Sequence, residues 1–341
     1  MADMQSPRLA LFDLRNDGSF YSPSGEQVVI FGVADLQHFL GSLDVLFEAP
    51  IGRKVLYAAA DAEELVLQAP TFALPRWFGK KKIREVMTQR FPLMGWGLYE
   101  SSAIRFPIHD ALSVGFALAH HEHVSSQRWE VEWQQQTQDH ISCTFQEKNQ
   151  PMVPATRPNV MGWGANMNSN PAAAQIEIDI DERNFGFFIG EQRSAFFPVI
   201  FFELMFDQLR GRKISNVSQG NTPLVFTKEV PQRDLFVAIA VAAQQIFQTS
   251  TTPVFIRNGA DWKALLNSRL TAYGFGCVTV ETTVVDGHDA TLFVVQSPVP
   301  AMVCGVLMGM WERCHGVRCQ TTIDVGSHEV RISLSKIPVD Y

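Results

Sequence analysis

The chain has 341 residues, about twice the size of a common single domain. Hydrophobic residues make up 46% of it and charged residues 18%, which predicts a folded, well-cored protein and excludes a disordered chain. The net charge of −7 lacks the basic excess that nucleic-acid surfaces need, so we expect no nucleic-acid partner.

Cysteine usage and apolar runs bear on location. The five cysteines are odd in number and form no CxxC pair, which favours a reducing cytoplasm over a disulfide framework. The first residues lack the basic start and apolar stretch of a signal peptide, and no apolar run is long enough to span a bilayer. We therefore expect a cytoplasmic protein with no membrane partner. The basic run Lys80–Lys82 is interpreted as a solvated helix start rather than a phosphate or lipid patch.

The first half of the chain predicts a mixed series of helices and strands. Apolar spacing predicts helices, alternation predicts strands, and glycines around an aromatic residue predict a tight turn. In chain order these are helices at 33–40 and 54–60, a turn at 95–97, a strand at 98–104, a helix at 111–118 and strands at 129–133 and 141–145.

The second half predicts the same elements in the same order, after a proline-containing linker over 148–178. They are helices at 198–209 and 236–243, a turn at 274–276, a strand at 277–284, a helix at 301–310 and strands at 319–323 and 330–334. Arg15-Asn16 and Arg183-Asn184 mark matching starts, and the spacing between matched positions grows along the chain. This order favours a tandem repeat. The alternative, that any α+β chain shows similar blocks, stays open.

These motifs resemble the 4-vinyl reductase domain family. The resemblance is carried by Gly95-Trp96-Gly97 followed by Glu100, by Ser297-Pro298-Val299 before a late apolar helix, and by Cys143-Thr144-Phe145 at the end of a hairpin. It implies an α+β fold, with helices around an antiparallel sheet and an apolar small-molecule pocket. We expect two such domains, over 10–147 and 179–341, packed as a pseudo-dimer.

The zinc site that many domains of that family carry is not expected in this chain. Only Glu132 and Cys143 occupy comparable places in the first copy, and Ile332 stands opposite Cys143 in the second. Tetrahedral zinc needs four ligands, or three and a water. We therefore expect no metal, and no motif indicates another cofactor.

Other polar clusters favour structural explanations. His120 and His123 share one helix face and are weighed as a weak metal pair, but a solvent-exposed helix end is favoured. Glu63-Glu64 fits an exposed face in the same way. Cys314 and Cys319 are interpreted as incidental thiols. No nucleophile elbow, Walker loop or dinucleotide fingerprint occurs, so no catalytic set is proposed.

Aromatic residues of the first copy are the candidate ligand-binding set. Small-ligand sites are mostly apolar with a few polar groups, and aromatic side chains also serve simply as core. The candidates are Trp96, Tyr99, Phe106, Phe116 and, as a hydrogen-bonding group, His109.

The sequence thus favours a binding or regulatory protein over an enzyme. We expect an apolar or aromatic small molecule as ligand, and a protein partner or self-association as output. The alternatives are an enzyme or accessory subunit in tetrapyrrole or aromatic-compound metabolism, and a purely structural interaction module.

Overall fold

A computed structural model describes residues 6–72, 79–100, 102–159, 161–163, 172–175, 178–215, 224–249, 256–257, 259–285 and 288–337. These residues form a mixed α+β fold, as predicted. The described part of the chain contains eight α-helices: α1 (Val33–Leu46), α2 (Gly52–Leu67), α3 (Gly79–Met94), α4 (Asp110–Ser125), α5 (Val199–Leu209), α6 (Arg233–Thr249), α7 (Gly259–Arg269) and α8 (Pro300–His315).

The strands form three sheets. They are β1 (Asp13–Leu14), β2 (Phe20–Tyr21), β3 (Gln27–Gly32), β4 (Leu98–Glu100), β5 (Ala103–Arg105), β6 (Trp129–Thr137), β7 (His140–Glu147), β8 (Asp181–Arg183), β9 (Gly186–Ile189), β10 (Gln192–Pro198), β11 (Leu224–Phe226), β12 (Cys277–Val285), β13 (His288–Gln296), β14 (Cys319–Val325) and β15 (Val330–Lys336). The sheet orders are β1-β2-β3-β10-β9-β8, β4-β5-β7-β6 and β11-β14-β15-β13-β12. Only β11 and β14 pair in parallel among these described strands.

The six-stranded sheet joins the two halves of the chain. Its central pair is β3 and β10, which run antiparallel with Ile30 opposite Phe196. Two residues after Ile30, Gly32 is the N-cap residue of α1. Two residues after Phe196, Pro198 is the N-cap residue of α5. These two strands are buried over most of their length and contact helices α1 and α5, and a single core cluster includes residues of both halves.

Close helix contacts in each half depend on a glycine. A Cβ atom added at Gly115 of α4 would collide with the Leu56 carbonyl of α2, and one at Gly305 of α8 would collide with the Ala240 carbonyl of α6. Only the absence of a side chain lets these backbones approach. The two helix pairs, α2 with α4 and α6 with α8, are therefore the tightly packed layers of the fold.

The predicted turns are confirmed. Gly95, Gly97, Gly274 and Gly276 all have φ between 83° and 104°, a backbone region that suits glycine. A Cβ atom at Gly95 would lie 2.9 Å from the carbonyl oxygen of Ser194 in β10, so the first turn packs directly against a strand of the second half. Gly274 packs in the same way against Val28 and Val29 of β3.

Most predicted elements are confirmed, with one correction and several additions. The strand expected over 98–104 is a hairpin of β4 and β5, because the chain reverses at Ser102; Ser101 lies outside the described residues. The helix expected at Lys80–Lys82 is present as α3, although their side chains lie outside the described set. Short strands β1–β3 and β8–β10, helix α7, and strands β11 and β13 were not predicted.

Candidate functional site

The predicted aromatic residues divide into a buried ring cluster and a separate pair. Trp96 and Phe116 are fully buried and stacked, with ring centroids 3.8 Å apart. Trp96 Nε1 also donates a 2.7 Å hydrogen bond to the carbonyl of Phe196 in β10. Tyr99 joins this cluster through Phe91, whose ring lies 5.6 Å from Trp96 and 5.2 Å from Tyr99. The contact between Trp96 and Phe116 leaves no space for a ligand between their rings.

Phe106 and His109 lie near the start of α4. Phe106 stacks on Phe185 of the second half at 4.3 Å, and its carbonyl accepts a hydrogen bond from Arg193. His109 is the N-cap residue of α4, and its Nδ1 is buried without a partner among the described residues. Burial lowers the pKa of His109, so its ring favours the neutral form. This pair therefore occupies a junction between the halves rather than the ring cluster.

A buried ionic network that the sequence reasoning missed lies beside the ring cluster. The Arg90 side chain of α3 is 4% exposed and Glu63 of α2 is 0% exposed; Arg90 Nε and Nη2 donate to the two Glu63 oxygens at 2.5 and 3.0 Å. Arg90 Nη2 also donates to Glu26 at 2.8 Å, and Glu63 lies 2.8 Å from His120 Nε2 of α4. The Arg90 guanidinium of α3 thus joins α2 to the residue before β3, and Glu63 links α4 to the same network.

The charges in this network are held by their mutual pairing. Burial by itself would raise the pKa of Glu63, but the positive charge of Arg90 and the hydrogen bond to His120 outweigh it and hold that pKa at about 2. The Arg90 guanidinium lies 5.4 Å from the Trp96 ring centroid, within cation–π range. The predicted residue Trp96 therefore packs against the network, and it lies in the lining of neither cavity described below.

Two expectations about exposure were wrong. Glu63 and Glu64 are 0% and 8% exposed, and His120 and Glu122 are 1% and 5% exposed. The three buried carboxylates have cationic partners: Arg90 pairs with Glu63, while Arg128 pairs with Glu64 at 2.7 Å and with Glu122, six residues before it, at 2.5 Å. A carboxylate without such a partner would remain in water.

A cavity of about 350 Å³ lies between β2, β3, the end of α2 and the start of α5. It is lined by Tyr21, Ser24, Gly25, Glu26, Gln27, Leu65, Val66, Ala69, Arg157, Val199, Ile200 and Glu203. The Glu26 side chain is 10% exposed; one of its oxygens accepts from Arg90, and the other, Oε2, is buried without a partner among the described residues. Gln27 Nε2 is likewise buried and unpartnered. Two residues of the cavity lining, Glu26 and Gln27, thus each have one buried polar atom without a partner among the described residues.

A larger cavity of about 950 Å³ lies between the end of α5 and the start of α6. Residues 216–223, which follow its lining residue Ser215 in the sequence, lie outside the described residues, and no site is assigned to this cavity.

The described residues contain no arrangement of side chains that would support metal binding or thiol chemistry. No three His, Cys, Asp or Glu side chains come together there in a way that could hold a metal ion. Glu132 and Cys143 belong to opposite faces of the β6–β7 hairpin, since Glu132 pairs with Thr144 and Cys143 with Trp133. Burial raises the pKa of the Cys143 and Cys319 thiols to about 12, far from thiolate reactivity at neutral pH.

Comparison with protein-family models, with curated proteins and with solved structures found no match to this chain. Among the helices that the structure describes, none is both long enough and apolar enough to cross a membrane.

Proposed function

We propose that this chain is a small-molecule-binding protein that acts through a protein partner, with its ligand in the cavity beside Glu26. The carrying observation is that Glu26, a nine-tenths buried carboxylate with one oxygen unpartnered among the described residues, belongs to the lining of a cavity whose walls combine apolar and polar side chains. Ligand sites commonly combine apolar walls with a few such polar groups. A buried polar atom without a partner carries a cost that a bound molecule would remove.

We further propose that the chain is two tandem copies of a 4-vinyl-reductase-like domain, packed as a pseudo-dimer. In support, each half has three strands, three helices, two paired strands, a fourth helix and a closing hairpin in that order, and the second half has one additional strand, β11, between its first two helices. The register of β3 and β10 is symmetric about Ile30 and Phe196, as an isologous pairing of equivalent strands requires.

Reciprocal contacts also support the duplication. Gly95 of the first half packs on β10 of the second, while Gly274 of the second packs on β3 of the first. Glu122 accepts the backbone N–H of Trp129, seven residues on, at 2.8 Å; Glu312 accepts that of Cys319, also seven residues on, at 3.1 Å. Such matched details are expected if one domain was copied.

The two halves differ where the ionic network lies, which favours the first half as the binding half. Glu63 follows the α2 segment that meets Gly115, and Phe247 follows the corresponding α6 segment that meets Gly305. His120 of α4 corresponds in the same way to Met310 of α8, which is fully buried. Apolar residues thus stand where the first half has Glu63 and His120.

The cavity gives a route from ligand to partner. Its walls come from both halves, with α2 and the β2–β3 turn on one side and α5 on the other. A ligand that binds one relative placement of these walls better shifts the population toward it, and a partner protein can read that shift. The free cysteines agree with a reducing compartment such as the cytoplasm.

An enzymatic role is the alternative, in tetrapyrrole or aromatic-compound metabolism. The Glu63–His120 pair has the composition of a general base dyad, but both side chains are sealed from solvent. No observation in the described residues favours catalysis over binding.

Native mass spectrometry of the purified protein, with a metal assay, tests the proposal. We expect a stoichiometric organic adduct that Ala69→Phe abolishes by placing a ring on the cavity wall, while Ala10→Phe at an exposed site keeps it. A stoichiometric metal or chromophore bound away from the cavity would overturn the proposal in favour of the enzyme.

A further inference from the structure

Strand β6 is an edge strand of the four-stranded sheet and offers its outer side to another strand. Going beyond the proposed ligand binding, we infer that β6 pairs antiparallel with β6 of a second copy of this chain. The pairing is centred on Trp133, so that the two Trp133 residues lie opposite each other and Glu132 of each copy lies opposite Gln134 of the other. Two four-stranded sheets then become one continuous sheet.

The backbone of β6 has free hydrogen-bonding groups on its outer side. Cys143 of β7 lies opposite Trp133, but its N–H donates to the Ser102 carbonyl at 2.7 Å, on the β5 side of β7. Trp133 therefore directs its own N–H and C=O away from β7, and the alternation of an antiparallel ladder gives Val131 and Gln135 the same direction. No backbone hydrogen bond from the described residues reaches this side of the three residues.

The second half of the chain already covers the equivalent edge with a strand. Glu122 accepts the N–H of the first residue of β6 and Glu312 that of the first residue of β14, so β14 matches β6 and Ile323 matches Trp133. β11 pairs with β14 on its outer side, where Thr227 donates its N–H to the Ile323 carbonyl at 3.0 Å. The fold thus accepts an added strand at this edge.

The first half has no described strand of its own for this edge, because its connection is too short. Residues 210–232 join α5 to α6 and contain β11, whereas residues 47–51 alone join α1 to α2. The side chain at the centre of the edge is also exposed: Trp133 is 37% exposed, and its counterpart Ile323 is 0% exposed. An open edge strand with an exposed apolar residue is a template for pairing with another chain.

The sequence of β6 favours a second copy as the added strand. With Trp133 at the two-fold axis, Val131 lies opposite Gln135 and Glu132 opposite Gln134 in both directions, as an isologous contact requires. A glutamine amide can donate a hydrogen bond to the carboxylate opposite it, and the facing indole rings add an aromatic pair.

Other registers are less favourable. A register centred on Glu132 would place that carboxylate opposite its own copy, and like charges directly opposite each other are destabilising. A register centred on Gln134 would extend into the part of β6 beyond Gln135, where the pairing with β7 shifts. The register centred on Trp133 therefore combines neutral pairing with the regular part of the strand.

Sedimentation equilibrium of the full chain between about 1 and 500 µM tests the inference. The contact is smaller than a standard protein interface, so we expect a monomer at about 1 µM and a dimer with a Kd of about 10–100 µM. Gln134→Glu places a carboxylate opposite Glu132 of the second copy and should weaken the dimer about fivefold or more. Gln134→Lys places an ammonium group there and should tighten it by a similar factor.

Matched controls separate this pairing from a general effect of charge. Gln68, the exposed C-cap residue of α2, receives the same two substitutions, and Gln68→Glu and Gln68→Lys should change the Kd less than about twofold. The double variant Glu132→Lys/Gln134→Glu again places opposite charges across the axis, so it should associate at least as tightly as the unchanged chain. Unchanged thermal unfolding at about 1 µM shows that each variant is folded.

Hydrogen exchange locates the contact. At about 500 µM the amides of Val131, Trp133 and Gln135 should exchange about threefold or more slowly than at 1 µM, while the Gln134 amide, which faces β7, should not change. A chain that stays monomeric at about 500 µM overturns the inference and leaves the edge to solvent or to another protein. A dimer that ignores the charge at residue 134, or that protects other amides instead, overturns it as well. Neither result bears on the ligand, which native mass spectrometry detects separately.

Discussion

Trp96 of the first half donates the hydrogen bond of its indole N–H to the carbonyl of Phe196, at the midpoint of the β3–β10 pairing. The indole is completely buried and stacked on Phe116, so this bond is formed away from water. It attaches the Gly95–Gly97 turn to a strand of the other half. A candidate ligand residue of the sequence is thus a structural link between the halves.

Trp96→Phe tests this link. The variant keeps an aromatic ring but leaves the Phe196 carbonyl buried without its side-chain donor, and the smaller ring leaves a gap. We expect a loss of about 1–3 kcal/mol in the free energy of unfolding, measured by urea denaturation. Trp133→Phe is the matched control, since Trp133 is 37% exposed and its replacement should cost less than about 0.5 kcal/mol. Equal losses in the two variants would contradict the role given to Trp96.

The ionic network predicts a pH dependence of stability. Glu63 has its pKa held at about 2 in the folded chain, below its ordinary value of 4.5. A carboxylate with a lowered folded pKa stabilises the protein fully above its unfolded pKa, and this contribution is lost as the pH falls from 4.5 toward 2. The contribution is on the order of 3 kcal/mol.

Glu63→Gln should lower stability at pH 7 by roughly 3–5 kcal/mol, because it leaves Arg90 buried with less compensating charge. It should also flatten the decline of stability between pH 4.5 and 2. In the Glu63→Gln variant Arg90 still pairs with Glu26, so the further change Arg90→Met should lower stability again by leaving that buried carboxylate without its cation. Urea unfolding across pH measures both effects, and an Arg90→Met change that costs nothing in this variant would argue against the pairing.

For Asp61 we expect stability to depend on pH with the opposite sign. Burial and the neighbouring carboxylates Glu64 and Glu122 raise the pKa of Asp61 to about 6, above its ordinary value of 3.8. Its ionisation is therefore unfavourable in the folded chain, and stability falls as the pH rises from 3.8 through 6. Asp61→Asn should stabilise the protein at pH 8 by about 1 kcal/mol and have little effect at pH 4. A stabilisation that is the same at both pH values would contradict this explanation.

The contact between α8 and α6 predicts a steric cost. Gly305→Ala places a methyl group against the backbone of Ala240, so we expect a loss of about 1–3 kcal/mol, or more if the helices cannot separate. Gly41→Ala is the control, because a Cβ atom at Gly41 of α1 meets nothing within 4 Å and should stabilise the helix by about 0.5–1 kcal/mol. Thermal unfolding compares the two, and opposite signs are expected.

Local sequence patterns identified the long elements because a helix or strand that covers a core repeats its apolar residues at a fixed period. Helices α1, α2, α4, α5, α6 and α8, and hairpins β6–β7 and β14–β15, are present where these patterns predicted them. Strands β1 and β2 have two residues each, too few for any period to be visible. The β4–β5 hairpin was predicted as a single strand for a similar reason, since two strands of three residues resemble one longer strand.

The candidate site was less predictable. His120 was noticed as part of a histidine cluster and Glu63 as part of a carboxylate pair, but each was assigned to a solvated surface. Their burial depends on Arg90, a residue 27 positions beyond Glu63, and no local pattern indicates that pairing. Arg90 lies in the last turns of α3, a helix that the sequence marked only by its basic start. Glu26 and Gln27 precede and begin a strand that was not predicted at all.

The sequence by itself determined the α+β class, the order of most helices and strands and the turns at Gly95–Gly97 and Gly274–Gly276, because these follow from local periodicity and backbone conformation. Tertiary structure alone decided that β3 pairs with β10 across the two halves, that Trp96 fills the core, and that Arg90 pairs with Glu26 and with Glu63, which also contacts His120. The reason is that charge pairing and cavity formation depend on residues distant in the chain, whose approach is fixed only when the whole core packs.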